Sequence, residues 1–104
     1  MELRAKTQDE IRQDFYDVCA SIIDEWSRDP RRPVNEAVEG AIFSVLSALD
    51  GSMLQLPPFK IVTFPQPGDA DFCKRNGENW IPEGVDIGHL HGGFHEGLKK
   101  ARGQ

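Results

Sequence analysis

The chain has 104 residues and a net charge of −5, and its 38% hydrophobic and 28% charged residues are the balance of one globular domain. No apolar run approaches the roughly 18 residues needed to span a bilayer, and the N-terminal residues lack the apolar stretch of a signal peptide. We therefore exclude the membrane-spanning and fibrous classes. We expect one cytoplasmic domain over 1–104, with flexible ends at 1–6 and 102–104.

The excess negative charge lies in the first half of the chain. Residues 1–52 contain 6 basic and 11 acidic groups, whereas the remainder contains 6 of each. Nucleic-acid binders usually carry a basic patch, so the charge distribution predicts no nucleic-acid partner. Cys19 and Cys73 are too few for a disulfide framework and form no Cys-x-x-Cys pair, which is typical of a reducing compartment.

Two helices are predicted in the first half. Thr7 and Glu10 have the spacing of a capping box, and apolar residues follow at helical intervals as far as Trp26. Asp29-Pro30 ends this helix, because the residue before proline is driven out of the α region. A second apolar stripe begins after Pro33 and ends at Asp50-Gly51. The short connector predicts an antiparallel helix pair.

The middle of the chain predicts a small β element. Residues 59–64 are rich in β-branched and aromatic side chains and are bounded by Pro58 and Pro65. A single strand needs a partner, which could come from 79–81, from the Met53-Leu54 segment or from a second chain. Residues 65–78 contain prolines, glycines and alternating charges, and are predicted to form a loop.

A third helix is predicted from an N-cap at Asp86. It is unusually rich in glycine, and each interior glycine costs a helix roughly 1 kcal/mol relative to alanine. The fold class predicted from these elements is α+β: an antiparallel helix pair, a small β element and a C-terminal glycine-rich helix. The large aromatic residues expected in or near its core are Trp26, Phe43, Trp80 and Phe94.

The three histidines lie in this last segment. His91 and His95 have the i,i+4 spacing that can bind zinc on one helix face, whereas His89 would lie on the far side of a regular helix. A zinc site on His91 and His95 would need a further ligand, for which the candidates are Asp86, Glu96, Cys73 and Glu39. The alternative is structural, with His91 half-buried and bonded to a backbone carbonyl.

Two further features allow either a structural or a functional role. Glu39 lies beside the apolar stripe of the second helix, where a half-buried carboxylate could act as a base or could pair with an arginine. The pairs Gly88 and Gly92, and Gly93 and Gly97, leave bare ridges on the third helix. Such ridges admit another backbone, either within one fold or across a homodimer.

These motifs, taken as a set, resemble a pattern of small uncharacterised bacterial proteins. The matching pieces span roughly residues 38–98 and read EG..FS, LDG, LP.F, NGENW.P and DI..LH. The resemblance implies a domain of unknown function and supplies no activity. It also implies that five residues belong to one shared arrangement: Glu39, Asn79, Trp80, Asp86 and His91.

Two functional hypotheses follow from the sequence. The first is a small acidic module that acts through protein–protein contacts, with a protein partner or with itself as a homodimer, and that needs no cofactor. The alternative is a small metal-dependent or acid/base enzyme centred on His91. The candidate functional patch is Glu39, Trp80, Asp86, His91 and His95.

Overall fold

The computed structural model of the protein describes residues 3–53 and 55–103. The predictions of flexible ends and of a strand partner at Met53-Leu54 fall partly on Met1, Glu2, Leu54 and Gln104, which lie outside the described residues. Within the described part of the chain, no helix is long and apolar enough to cross a membrane.

The first helix, α1, spans Gln8–Ser27, and its predicted capping box is confirmed. The Glu10 backbone N–H donates to Thr7 Oγ1 over 3.2 Å, and the Thr7 N–H donates to Glu10 Oε1 over 2.9 Å. Two free N–H groups at the helix start are thereby paired. Farther along α1, Val18 and Ile22 are buried.

The second helix, α2, spans Val34–Leu49 and packs against α1. Trp26, at the end of α1, lies over Gly40, where even a Cβ atom would overlap the indole ring. The indole N–H donates to Ser44 Oγ over 2.9 Å. Ile22, one turn earlier in α1 than Trp26, belongs to the same buried cluster as Ala48, one turn later in α2 than Ser44. The two helices therefore run antiparallel, as predicted.

The predicted α+β class is wrong, because no strand or sheet forms among the described residues. Residues 59–64 are extended, but their only β pairing is an isolated antiparallel bridge between Val62 and Asp86. Prolines at positions 58 and 65 bound the segment and lack the N–H groups that a longer ladder needs. The described chain is thus mainly helical, joined by irregular segments.

Two predictions in the second half also need correction. The region predicted as a loop, 65–78, contains a short helix, α3, at Asp69–Arg75. The last helix, α4, spans Phe94–Ala101 after a 3-10 turn at His91–Gly93, so it begins later than the predicted N-cap. Asp86 instead accepts from the Gly88 N–H over 2.8 Å, and His89 adopts a left-handed φ of 62°, which prevents a helix there.

The chain is unusually open for its size. Its radius of gyration is 17.9 Å, against about 13 Å for a compact domain of this length. The molecule measures 54 × 46 × 18 Å, so it is markedly flattened along one axis. Only four described hydrophobic residues are buried: Val18, Ile22, Ala48 and Leu56. Trp80 is 45% exposed, so its predicted place in or near the core is wrong.

Candidate functional site

The most specific polar contact in the molecule joins Asp50 to His91. Asp50 Oδ2 accepts two hydrogen bonds, from the His91 backbone N–H over 2.8 Å and from the ring Nδ1 over 2.5 Å. The Asp50 side chain is only 3% exposed, whereas that of His91 is 34% exposed. The carboxylate therefore lies beneath the ring and orients it toward the surface.

Local backbone geometry brings these two residues together. Asp50 is the residue at which α2 ends, and Gly51 follows with a φ of 88°, which reverses the chain. A Cβ atom at Gly51 would lie 2.7 Å from Pro58 Cβ, so glycine permits the close return of the chain. The Phe59 N–H then donates to the Leu49 carbonyl over 2.8 Å. The 3-10 turn that begins at His91 covers the same end of α2.

The electrostatics of the pair favour an ionised aspartate. The hydrogen bond from the His91 ring, followed by that from the His91 backbone N–H, lowers the pKa of Asp50 to about 2, against the opposing effect of desolvation. An ionised Asp50 requires that Nδ1 carry the ring proton. In its neutral form, a ring protonated at Nδ1 presents Nε2 as an acceptor, which is the tautomer required of a general base or a metal ligand.

An aromatic cluster surrounds the histidine. The ring of Phe43, on α2, lies 6.1 Å from the His91 ring in an edge arrangement and is stacked on His95 at 5.1 Å. Phe94 packs against Phe43 at 6.2 Å and against His95 at 5.6 Å. Two of the predicted site residues, His91 and His95, therefore both contact the Phe43 ring. These contacts are between ring faces and edges, and they involve no shared polar partner.

The remaining members of the predicted patch make other contacts. Glu39 pairs with Arg102 at 3.2 Å, which is the structural alternative for this carboxylate. The Lys74 ammonium lies 4.5 Å from the centre of the Trp80 ring, a cation–π contact. Asp86 accepts a hydrogen bond within its own turn and forms the bridge to Val62. Each of these three residues therefore has a different set of partners.

A shallow cleft of about 230 Å³ lies beside Asp50. It is bordered by polar groups from three parts of the chain and by the edge of the Phe59 side chain. Its lining residues are Asp50, Pro58, Phe59, Lys60, Asp86, Gly88 and His89. The predicted residue Asp86 therefore borders the same cleft as Asp50, although no hydrogen bond joins the two carboxylates among the described contacts.

The zinc prediction stays a prediction. Among residues 3–53 and 55–103, no three histidine, cysteine, aspartate or glutamate side chains form a group that could hold a metal ion. His91 Nδ1 is committed to Asp50, which leaves Nε2 as its ligand atom. The other predicted ligand, His95, is stacked on Phe43.

Asp50 is the site residue that sequence reasoning missed. It was assigned only to the end of the second helix, and it lies 41 residues from His91 along the chain. The signal available was its place in the Leu49-Asp50-Gly51 motif of the resemblance, which ends with His91. Nothing in local spacing shows that those two motifs meet.

Comparison with known proteins adds no family or fold relative. No protein-family model matches the chain, and neither a curated protein nor a solved structure is similar enough to match it. The resemblance to small uncharacterised bacterial proteins is therefore still a prediction, and functional inference depends on the geometry of this chain.

Proposed function

We propose that the protein is a protein–protein interaction module whose apolar surface is covered by another polypeptide. One observation carries the proposal. The chain exposes 8565 Å², roughly 2,700 Å² more than the approximately 5,900 Å² expected of a compact monomer of this mass. Large hydrophobic side chains contribute to this surplus, since Val34, Phe64, Phe72 and Ile81 are each more than half exposed. Extensive exposed apolar surface marks interaction sites.

The composition of α2 supports this proposal. Only two of its sixteen residues, Glu36 and Glu39, are charged, so α2 has a wide apolar surface, and such a surface is normally buried against neighbouring elements. In this chain the only buried residue of α2 is Ala48. Burial of the rest of α2 would require atoms that the described part of the chain does not supply.

Small-angle scattering combined with light scattering tests the proposal on the intact chain. We expect either an assembly larger than 11.7 kDa, or a monomer with a radius of gyration near 17.9 Å that enhances the fluorescence of an apolar dye. A monomer with a radius of gyration near 13 Å and no dye binding would contradict the proposal, because the chain would then cover its own apolar surface.

The Asp50–His91 pair favours a second candidate, an acid/base or metal-dependent enzyme centred on His91. A buried carboxylate that holds the Nδ1 proton of a half-exposed imidazole is the arrangement used to orient catalytic and metal-binding histidines. The surface cleft beside Asp50 would be the place for a small substrate.

Native mass spectrometry of chelator-treated protein, before and after one equivalent of zinc, tests the metal version. This candidate predicts one zinc per chain, which His91→Ala and His95→Ala abolish and which the control His89→Ala retains. Absence of bound zinc in the wild-type chain would remove the metal version, and the interaction module does not depend on that result.

A further inference from the structure

A mainly apolar groove with a volume of about 520 Å³ is lined by residues of α2 and α4. Its floor includes Val34, Val38 and Ile42, which follow one another at four-residue intervals along α2 and are 79%, 53% and 47% exposed. Phe94 and Leu98 of α4 also line the groove. Residues of this size at this spacing form a continuous ridge of the kind that packs into another helix.

We propose that a second copy of this chain occupies the groove, so that two α2 helices pack antiparallel across a two-fold axis near Val38. This inference rests on the proposed function and names its partner. Around such an axis, Val34 of one protomer lies opposite Ile42 of its partner, and the two Val38 side chains meet. The stripe is therefore self-complementary, which a two-fold interface requires.

The surplus area of the whole chain is large enough to contain a dimer interface. Interfaces of obligate homodimers bury about 2,000–5,000 Å² in total, or roughly 1,000–2,500 Å² from each chain. The surplus of roughly 2,700 Å² on this chain exceeds that share, so an interface on α2 would account for part of it.

Charge also permits self-association at this surface despite the net charge of −5. The carboxylate at the edge of the groove, Glu39, is paired with Arg102 of the same chain at 3.2 Å. The remaining lining is apolar except for Asn35. Two copies can therefore meet here without placing unpaired like charges against each other. The antiparallel order also places the dipoles of the two α2 helices in opposition.

Charge variants at the axis test the proposal with light scattering. We expect the wild-type chain to have twice the mass of 11.7 kDa. Val38→Glu and Val38→Lys should each weaken the dimer by about a hundredfold or more, because each places two like charges at its centre. An equimolar mixture of the two variants should restore the dimer. The control is Ile23→Glu, at a residue on α1 that is 62% exposed and does not line the groove.

If the charge variants fail to fold, a cross-linking variant tests whether the two Val38 positions are adjacent in the dimer. In a Cys19→Ala/Cys73→Ser background, Val38→Cys should form a disulfide-linked dimer on mild oxidation, because the two positions meet at the axis. Ile23→Cys in the same background should remain uncross-linked. A wild-type dimer that cross-links at position 23 in preference to position 38 would overturn the proposal.

The outcomes separate this inference from the proposed function. A dimer unaffected by both Val38 variants would place self-association on another surface, and an open monomer with exposed apolar surface would require a different partner. Either result overturns the α2 dimer and leaves the interaction module in place. A compact monomer overturns both.

Discussion

The two halves of the molecule are held together by different kinds of interaction. In the first half, α1 and α2 pack through a shared apolar core, and Trp26 lies against Gly40. In the second half, a mainly irregular chain is attached at separate points: Leu56 enters that core, Phe94 and His95 pack on Phe43, and Asp50 binds His91. The helix pair is therefore specified by the apolar periodicity within each helix, whereas the position of the C-terminal segments depends on contacts between residues far apart in the sequence.

The largest effect should come from the helix pair. Gly40→Ala places a methyl group in space that the Trp26 ring occupies. The indole ring must therefore move, and its hydrogen bond to Ser44 is lost. Overpacking of this kind costs roughly 1–3 kcal/mol, and it should outweigh the gain of about 1 kcal/mol that alanine brings to a helix. Urea unfolding measures the change.

Gly97→Ala is the matched control for Gly40→Ala. Gly97 also lies inside a helix, but nothing lies within 4 Å of an added Cβ atom. The same substitution should therefore raise the free energy of unfolding by up to about 1 kcal/mol. Equal effects of the two variants would contradict the close fit of Trp26 against α2.

The next effect concerns the junction between the halves. Asp50→Asn removes the carboxylate that accepts from His91, so the C-terminal segment should loosen while α1 and α2 persist. Hydrogen exchange should quicken at the His91 amide and in the 3-10 turn. Retention of wild-type exchange rates there would show that the pair does not anchor the segment.

The Asp50–His91 pair also has a pH signature. The folded-state pKa of Asp50 is about 2, below its ordinary value of 3.8, so its contribution to stability is present above about pH 4 and is lost as pH falls toward 2. The pKa of Glu10 is also lowered to about 2, chiefly by Arg4, so both carboxylates act in that window. Wild type should therefore lose more stability between pH 5 and 2 than Asp50→Asn does. Equal losses would contradict the low pKa of Asp50.

Thr7→Ala should give a smaller change, confined to the first half. It removes the capping hydrogen bond to the Glu10 N–H and should lower the free energy of unfolding by about 1 kcal/mol. Ser21→Ala, within α1, is the control, because Ser21 Oγ only donates back to the Asp17 carbonyl. Circular dichroism during thermal unfolding compares the two. A larger loss for Ser21→Ala would argue against the capping box.

The smallest effect is expected at the β bridge. Thr63 Oγ1 donates to the Pro82 carbonyl over 2.5 Å and accepts from the Val85 N–H over 2.9 Å. Thr63→Val removes both bonds on a partly exposed segment, so we expect a loss of about 0.5–1 kcal/mol. Faster exchange of the Val85 amide, with α1 unchanged, would confirm that the bridge is independent of the helix core.

The sequence by itself determined the first two helices. Their caps and ends depend on residues a few positions apart: Thr7 with Glu10, Asp29 with Pro30, and Asp50 with Gly51. Such signals act within one or two helical turns, so reading the chain locally is sufficient. The predicted β element was wrong because a strand is not specified locally. It forms only where a second segment supplies a matching row of hydrogen-bonding groups.

Tertiary structure alone decided the site and the open surface. The carboxylate that orients His91 comes from a residue 41 positions away, and Glu39 is paired with Arg102, 63 positions away. No local pattern encodes such pairs, because they depend on where the chain returns after Gly51 and Pro58. The apolar stripe of α2 was visible in the sequence, but its exposure follows from packing: α1 covers only one side of that helix.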